Sequence, residues 1–479
     1  MRKNKIIGNY IYNMMYQLIN IIVPFITIPY IARVLGPNGT GIYDYTYSYA
    51  FVFTIICLFG MTNYGSKRIA YVRDSKEKMS NEFWSIWLIQ LSVSIICLIS
   101  YIFLFVVGNT SDLRIMFIMQ FPLLLASLLD ISWLYVGMED FGKTITRNIL
   151  VKIIGLILIF ILVKGPNDVW LYILINSGSA FIGNLSFWIF LKKYVNKINF
   201  KAINVKCHIR ESFLLFIPQI ATQIYTTLDR AVIGGLSNTL QVGYYSNSQK
   251  IARLSLVVVT SLSFVMMPRI ANMYANDDKG KVNDYLSKSL KFSLILSIFI
   301  TTSLIVISKD FVPVFFGDNF KVIIPYMIIS SVIVIFISVG GVFATQFSLP
   351  TGRTKEYTIP LVLAAVINPI INIILVPSLG ALGGVFAIVI TEFVVMFIRI
   401  FVVRKELDLR FMFKGTFKYL FAGIIGLIVS LFISKVLNPS YMSVFIEGTI
   451  NAIVYFAIIL IIDKELRLLL LSLIRKKMR

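Results

Sequence analysis

One histidine, three cysteines and no phosphate-binding loop leave this chain little with which to do covalent chemistry. A missing G-x-x-x-x-G-K-[ST] pattern argues against ATP hydrolysis by the P-loop route. No Ser–His arrangement and no cluster of His, Cys, Asp or Glu at ligand spacing is present, so no catalytic residue, cofactor or metal is expected. Cys57, Cys97 and Cys207 fall in two apolar runs and a basic loop, where no disulfide is expected. His208 stands beside Cys207 in that loop and reads as a solvated residue, because two adjacent ligands do not make a zinc site. Acidic residues are also scarce, 23 against 45 Lys and Arg. The expectation is a protein that is not an enzyme.

Apolar length is abundant. Of 479 residues 58% are hydrophobic, and the mean hydropathy is +0.83. Runs of about 20 apolar residues recur along the chain, each long enough to cross a hydrocarbon core of roughly 30 Å. About fourteen spans are expected, joined by short connections. The N-terminal MRKNKIIGNYIYNMM has no small-residue cleavage site after its apolar run and reads as a retained first span.

The net charge of +22 raises the question of nucleic acid, and its distribution answers it. Basic residues collect on alternate loops: Arg2, Lys3 and Lys5; Lys67 to Lys78; Lys192 to Arg210; Lys279 to Lys291; Arg404 to Lys418; and Lys464 to Arg479. The opposite loops, Gly36 to Gly41, Leu236 to Gln241 and Ser378 to Ala381, carry none. This positive-inside pattern predicts two cytoplasmic termini and requires an even number of spans. The charge is topological, with anionic lipid headgroups as its secondary partners and no nucleic acid.

The chain repeats. PYIARVLGPNGTGIYDYTYSY after the first span is echoed by LDRAVIGGLSNTLQVGYYSNSQKI after the seventh; each reads as a helix, a Gly-containing outer turn, then Gly-x-Tyr opening the next helix. Lys143 and Thr146 find a weaker echo in Lys355 and Thr358. Six spans between copies imply halves of the same orientation, related by an axis along the membrane normal. The expected fold is therefore an all-α polytopic membrane protein: two six-helix lobes in pseudo-two-fold relation, plus two C-terminal helices. Residues 1–210 form the first lobe and a basic inter-lobe linker, 211–410 the second lobe, and 411–479 the last two helices and a basic tail.

Polar and charged residues inside spans mark a function. In the first span Asn13, Gln17 and Asn20 share one helical face; in the seventh, Gln219, Gln223 and Arg230 do; in the eighth, Lys250 and Arg253. Unsatisfied amides in lipid are costly, so such stripes face other helices or a wet cavity, and the charge favours the cavity. These eight residues are the expected substrate-binding set, and their cationic character predicts an anionic cargo. Asp229 points about 100° away from Arg230. At similar depth to Lys250 across a helical hairpin, it is expected to form a structural pair with that lysine. Arg33 and Asp44 are a second such pair. Glu392, at mid-depth in the twelfth span, is either a coupling residue for protons or cations or a hydrogen-bonding partner of a neighbouring helix.

Several stretches taken in order resemble bacterial polysaccharide flippases. They are IPYIARVLGPNGTGIYDYTYSY, NYGSKRIAYVRDSKEKMSNEFWSIW, LDRAVIGGLSNTLQVGYYSNSQKI, VFFGDNFKVIIPYMIISS and TGRTKEYTIPLVLAAVINPIINIILVPSLGALGGVFAIVITEFV. These flippases share a superfamily with multidrug extruders and lipid II flippases, and the run Arg68 to Asp74 favours the polysaccharide branch. The resemblance implies alternating access through a central cavity and a substrate of undecaprenyl-pyrophosphate-linked oligosaccharide repeat units. It further implies a bacterial cytoplasmic membrane location, a monomeric transport unit, and a polysaccharide polymerase and glycosyltransferases as pathway partners. Multidrug members usually place an Asp in the first span, where this chain has Asn13, Gln17 and Asn20. Lipid II flippases tend to carry more arginine in the first half, whereas the buried basic residues singled out here lie mostly in the second. Cation-coupled drug export and lipid II flipping are therefore the alternatives.

Overall fold

The computed structural model describes the backbone of residues 2–276 and 278–468, and, of these, the side chains from residue 18 to 468 except those of Ile21, Phe141, Lys143, Pro218, Phe264, Val265 and Lys279. Asn13 and Gln17 thus lie outside the described side chains. No strand occurs among the described residues. The principal helices are α1 (Arg2–Leu58), α2 (Met61–Val72), α3 (Lys76–Tyr101), α4 (Arg114–Leu128), α5 (Ser132–Gly137), α6 (Phe141–Leu162), α7 (Val169–Ile189), α8 (Leu191–Tyr194) and α9 (Lys206–Leu236). There follow α10 (Thr239–Ala275), α11 (Lys279–Phe316), α12 (Ile324–Ser331), α13 (Ile333–Phe343), α14 (Thr354–Leu379), α15 (Ala381–Val403), α16 (Leu409–Phe413), α17 (Phe417–Ser434) and α18 (Tyr441–Ile462).

Twelve helical stretches among the described residues are long and apolar enough to cross a membrane, and the first of them runs for 55 residues, Leu18–Val72. That length, at 1.5 Å per residue, is more than twice a hydrocarbon core. It breaks at Gly36, whose φ of 69° and ψ of −178° are open to glycine and strained for any other residue. Before the break α1 runs alongside α6, with Asn20 beside Lys152 and the Tyr30 hydroxyl donating to the Val163 carbonyl at 2.7 Å. After it α1 runs alongside α7, with Gly39 against Val169 and Tyr43 against Tyr172. α6 and α7 are antiparallel, since Gly155 meets Ser179 and Arg147 meets Gly183. The two halves of α1 therefore double back, giving two crossings. α9 is 31 residues long but stands outside the twelve, its apolar run interrupted by polar residues. With α1 counted twice and α9 included, the expected fourteen is recovered.

Contacts divide the chain into Met1–Gly243 and Tyr244–Arg479. In the first unit α4 lies parallel to α7, through Ser177 to the Met119 carbonyl (2.6 Å) and Asn184 to the Ala126 carbonyl (2.7 Å). It lies antiparallel to α3, through Gln90 to the Ser127 carbonyl (2.7 Å) and Tyr101 to the Phe117 carbonyl (2.9 Å). Gln120 also donates to Thr46 on the second half of α1 at 3.2 Å.

The second unit repeats this order. α10 lies parallel to α12 and its continuation, through Gln249 to Ser330 (2.6 Å) and Gln346 to Ser263 (3.1 Å). α11 lies antiparallel to that pair, through Ser289 to Gln346 (2.5 Å) and Thr301 to the Ser331 carbonyl (3.1 Å). α13 and α15 run together, with Phe336 on Phe393 and Gly340 against Arg399. Each unit thus bonds a buried glutamine across two parallel helices, the kind of link that substitutes for a hydrophobic driving force in lipid. α17 and α18 add an antiparallel hairpin packed on α11, where the Tyr455 hydroxyl donates to the Ile295 carbonyl at 2.9 Å.

Candidate functional site

In the first unit α9 and the second half of α1 pack closely. A Cβ on Gly234 would lie 2.1 Å from the Tyr45 ring, so glycine is required for that approach. On α9, Gln219 and Gln223 are half-buried, Thr226 donates to the Thr222 carbonyl at 2.9 Å, and Asp229 is fully buried. Arg230 is half-buried, its Nε is enclosed without a hydrogen-bond partner, and no hydrogen bond or ion pair joins it to a described residue. Its charge reaches Tyr43 and Tyr47 on α1. Those rings continue a stack one helical turn apart, Tyr43 on Tyr47 at 5.6 Å and Tyr47 on Phe51 at 5.2 Å. A guanidinium with an idle donor beside tyrosine faces suits an anionic group attached to a sugar.

The first half of α1 brings a second cation to its polar face. Asn20 accepts a hydrogen bond from Lys152 of α6. Five residues earlier on α6, Arg147 donates to the Gly183 carbonyl at 2.7 Å, bonds Asn148 and Asn184, and lies 4.4 Å from the centroid of Phe187. Arg147 and Lys152 were missed by the sequence reading, although ILVKIIGLILIF shows a lysine inside an apolar run. They also correct it: half-buried basic residues inside spans are not concentrated in the second half. Arg33 is exposed while Asp44 is buried.

In the second unit Lys250 is half-buried and donates to Asn247 one turn back at 3.3 Å. Arg253 is half-buried, with no hydrogen bond or ion pair to a described residue. Glu392 on α15 is buried and engaged by its neighbours.

The repeated turn explains its own glycines. A Cβ on Gly41 would lie 1.8 Å from the Thr239 carbonyl oxygen and 2.8 Å from the Gly243 nitrogen. A Cβ on Gly243 would lie 1.9 Å from the Pro37 carbonyl oxygen and 3.2 Å from the Gly41 nitrogen. The two contacts are equivalent, Pro37 standing to Gly41 as Thr239 to Gly243. Thr239 also donates to Asn38 at 2.7 Å.

At the other end of the first unit the basic linker is bound rather than free. Asn196 accepts from the Trp84 indole at 2.9 Å, and the Asn204 amide donates to Ser85 at 3.1 Å. His208 is only 2% exposed, which corrects its reading as a solvated loop residue: it sits against the Tyr64 hydroxyl and an Arg68–Glu82 pair bonded at 2.6 and 3.0 Å. Burial pushes its pKa below the usual 6.5, with Glu82 opposing and Arg68 reinforcing the shift.

Two all-helical units of repeated helical order, with cations inside apolar spans, have the architecture of a polytopic membrane protein. The chain belongs to the polysaccharide biosynthesis protein family, whose model matches residues 6–274; the model for the lipid II flippase MurJ matches residues 148–459. It is 23% identical over 402 residues to a "Putative O-antigen transporter" of Escherichia coli (strain K12), covering 83% of this chain and 96% of that one. A protein of the same description from Shigella dysenteriae is 23% identical over 380 residues, covering 79% and 94%. Among solved structures, a lipid II flippase MurJ in an inward closed conformation superposes with a TM-score of 0.75 at 16% identity, covering 96% of this chain and 99% of that one. An inward-facing multidrug resistance MATE family transporter reaches 0.61 at 16% identity, covering 80% and 97%. At these identities the structures share the fold.

Proposed function

We propose that this protein flips undecaprenyl-pyrophosphate-linked oligosaccharide repeat units from the inner to the outer leaflet of the bacterial cytoplasmic membrane, by alternating access. The observation that carries the reading is Arg230, half-buried beside the tyrosine stack of α1, whose Nε is enclosed without a hydrogen-bond partner among the described residues. With Arg253 and Lys250 it would replace part of the hydration of a pyrophosphate through charge-assisted hydrogen bonds. Gln219, Gln223 and Asn20 would meet sugar hydroxyls, and the polyprenyl tail would stay in lipid. Asp229 with Lys250, and Arg33 with Asp44, are read as bracing ion pairs. A negative-inside potential contributes roughly 2.3 kcal/mol per charge per 100 mV to outward movement of an anion.

Reconstituted protein should exchange a labelled polyprenyl-pyrophosphate saccharide between leaflets. Each lost charge-assisted bond is worth about 1.5–3 kcal/mol, so Arg230→Ala and Arg253→Ala should each slow exchange roughly ten- to hundredfold. Rates equal to the parent's in both variants would overturn the assignment.

Lipid II is the second reading, favoured by the MurJ model match and by Lys152 in the first unit. The same assay with labelled lipid II, run in competition with an oligosaccharide repeat unit, separates the two cargoes. Drug export fits less well, because cations rather than acids occupy the helix faces described.

A further inference from the structure

The least solvated carboxylates of the second unit take no part in the proposed cargo path. Asp310 of α11 and Glu447 of α18 are each 0% exposed, and all four of their carboxylate oxygens are enclosed without a hydrogen-bond partner among the described residues. Both helices are among the membrane-crossing stretches. Asp310 stands six residues before the last residue of α11, and Glu447 six residues after the first of α18, so antiparallel packing brings them to similar depth, about 9 Å from the helix ends. The charge of Asp310 reaches Glu447.

α17 completes the surroundings. Its register against α18 is fixed by Tyr419 bonded to Asp463, Gly423 against Tyr455 and Gly426 against Asn451. The next rung sets Ser430 opposite Glu447, and Ser430 is fully buried with its hydroxyl unpartnered. Ser434, one turn on, is close enough to act on Glu447 without meeting hydrogen-bond geometry. One turn along α18, Asn451 spends its amide hydrogens on Thr302 (3.1 Å) and Ser303 (2.8 Å), leaving its carbonyl oxygen enclosed and unpartnered. The inner face of α18 thus presents acceptors with almost no donors to meet them.

Two ionised carboxylates so placed would repel each other and lack the solvation that ions need, a penalty of several kcal/mol per ion. Among the described residues no positive side chain is buried with them. Lys309 on α11 is exposed and acts on Glu447 from outside, α17 carries no ionisable group between Tyr419 and its end, and Lys435 follows that end at the surface. Hydrophobic replacement would be the cheaper way to pack three helices. Carboxylate, hydroxyl and amide oxygens are instead the ligand set of hard cations.

We propose that Asp310 and Glu447, with Ser430 beside them, bind one small cation within the α11–α17–α18 bundle, a sodium ion or a proton supplying the same single charge. The site shares no residue with the proposed cargo set of Arg230, Lys250 and Arg253, so a failed flipping assay leaves it standing. It is also separate from Glu392, which has neighbours of its own.

The test is the thermal midpoint of the full-length protein in detergent, measured in sodium against choline across a pH series. Sodium binding gives a midpoint that rises with sodium at constant pH; proton binding gives one that rises as pH falls in choline alone. In either case the dependence should vanish in Glu447→Gln and in Asp310→Asn. Glu447→Asp, which keeps the charge but withdraws it by one methylene, should weaken the apparent affinity for the same cation at least tenfold. A parent indifferent to both sodium and pH overturns the proposal without any variant. So does a dependence that survives in the neutralised variants, or an affinity unchanged in Glu447→Asp.

Discussion

The hydroxyl of Tyr64 lies 2.7 Å from Nδ1 of His208, although 144 residues separate them, and Glu82 stands 3.7 Å from the other ring nitrogen. This contact ties the start of α9 to α2 and α3. Because burial lowers the pKa of His208, the folded state favours the neutral ring and the unfolded chain binds the proton more readily. Its contribution to stability is therefore complete above about pH 6.5 and is lost as pH falls through the depressed value. Measured from pH 8 to 5, the parent's thermal midpoint should fall below that point relative to that of His208→Gln, whatever slope other groups give to both. An identical pH profile in the variant would show that the linker contact does not depend on the ring.

Arg147 is a structural cation, and the prediction for it is opposite in kind to that for Arg230. Its guanidinium serves Gly183, Asn148, Asn184 and the Phe187 ring together, a geometry that an ammonium cannot copy. Arg147→Lys should lower the thermal midpoint, with a stability loss of roughly 1–3 kcal/mol. Arg230→Met should leave the midpoint unchanged while slowing flipping, since no hydrogen bond or ion pair within the described structure is lost with it. Equal midpoints for Arg147→Lys and the parent would remove the structural assignment.

The glycine contact predicts a lock. In a background where the exposed Cys207 is replaced by Ser, Asn38→Cys with Thr239→Cys places two thiols where a 2.7 Å hydrogen bond now stands. Oxidation should halt transport and reduction should restore it, if this turn must open during alternating access. Gly41→Ala, whose Cβ would fall 1.8 Å from the Thr239 carbonyl, should cost about 1–3 kcal/mol by overpacking. Transport undiminished by the oxidised pair would show that the turn stays closed throughout the cycle.

Much of the fold was legible in the sequence because lipid imposes a simple rule: length fixes a span. The repeat was legible from two short turns, and the helix order inside each unit repeats accordingly. The side chains were less legible. His208 looked solvated because its neighbours in the text are polar, whereas its neighbours in space, Tyr64 and Glu82, come from distant segments. Lys152 gives little local signal, because its partner Asn20 lies on another helix. Asp310 and Glu447 gave no signal at all, since each falls near the end of a span, where a charge ordinarily reaches water. Burial there depends on the three-helix packing, which no local pattern encodes.

The turn formed by Gly41 and Gly243 carries a constraint on how this chain can evolve. Each copy is met by the backbone of the other, so a side chain gained at either position collides with an atom that no substitution can remove. The two glycines cannot drift separately. Among relatives, these two positions should therefore covary, both remaining glycine or both changing with a shift of the turn, and a single-sided replacement should be found only where transport has been lost.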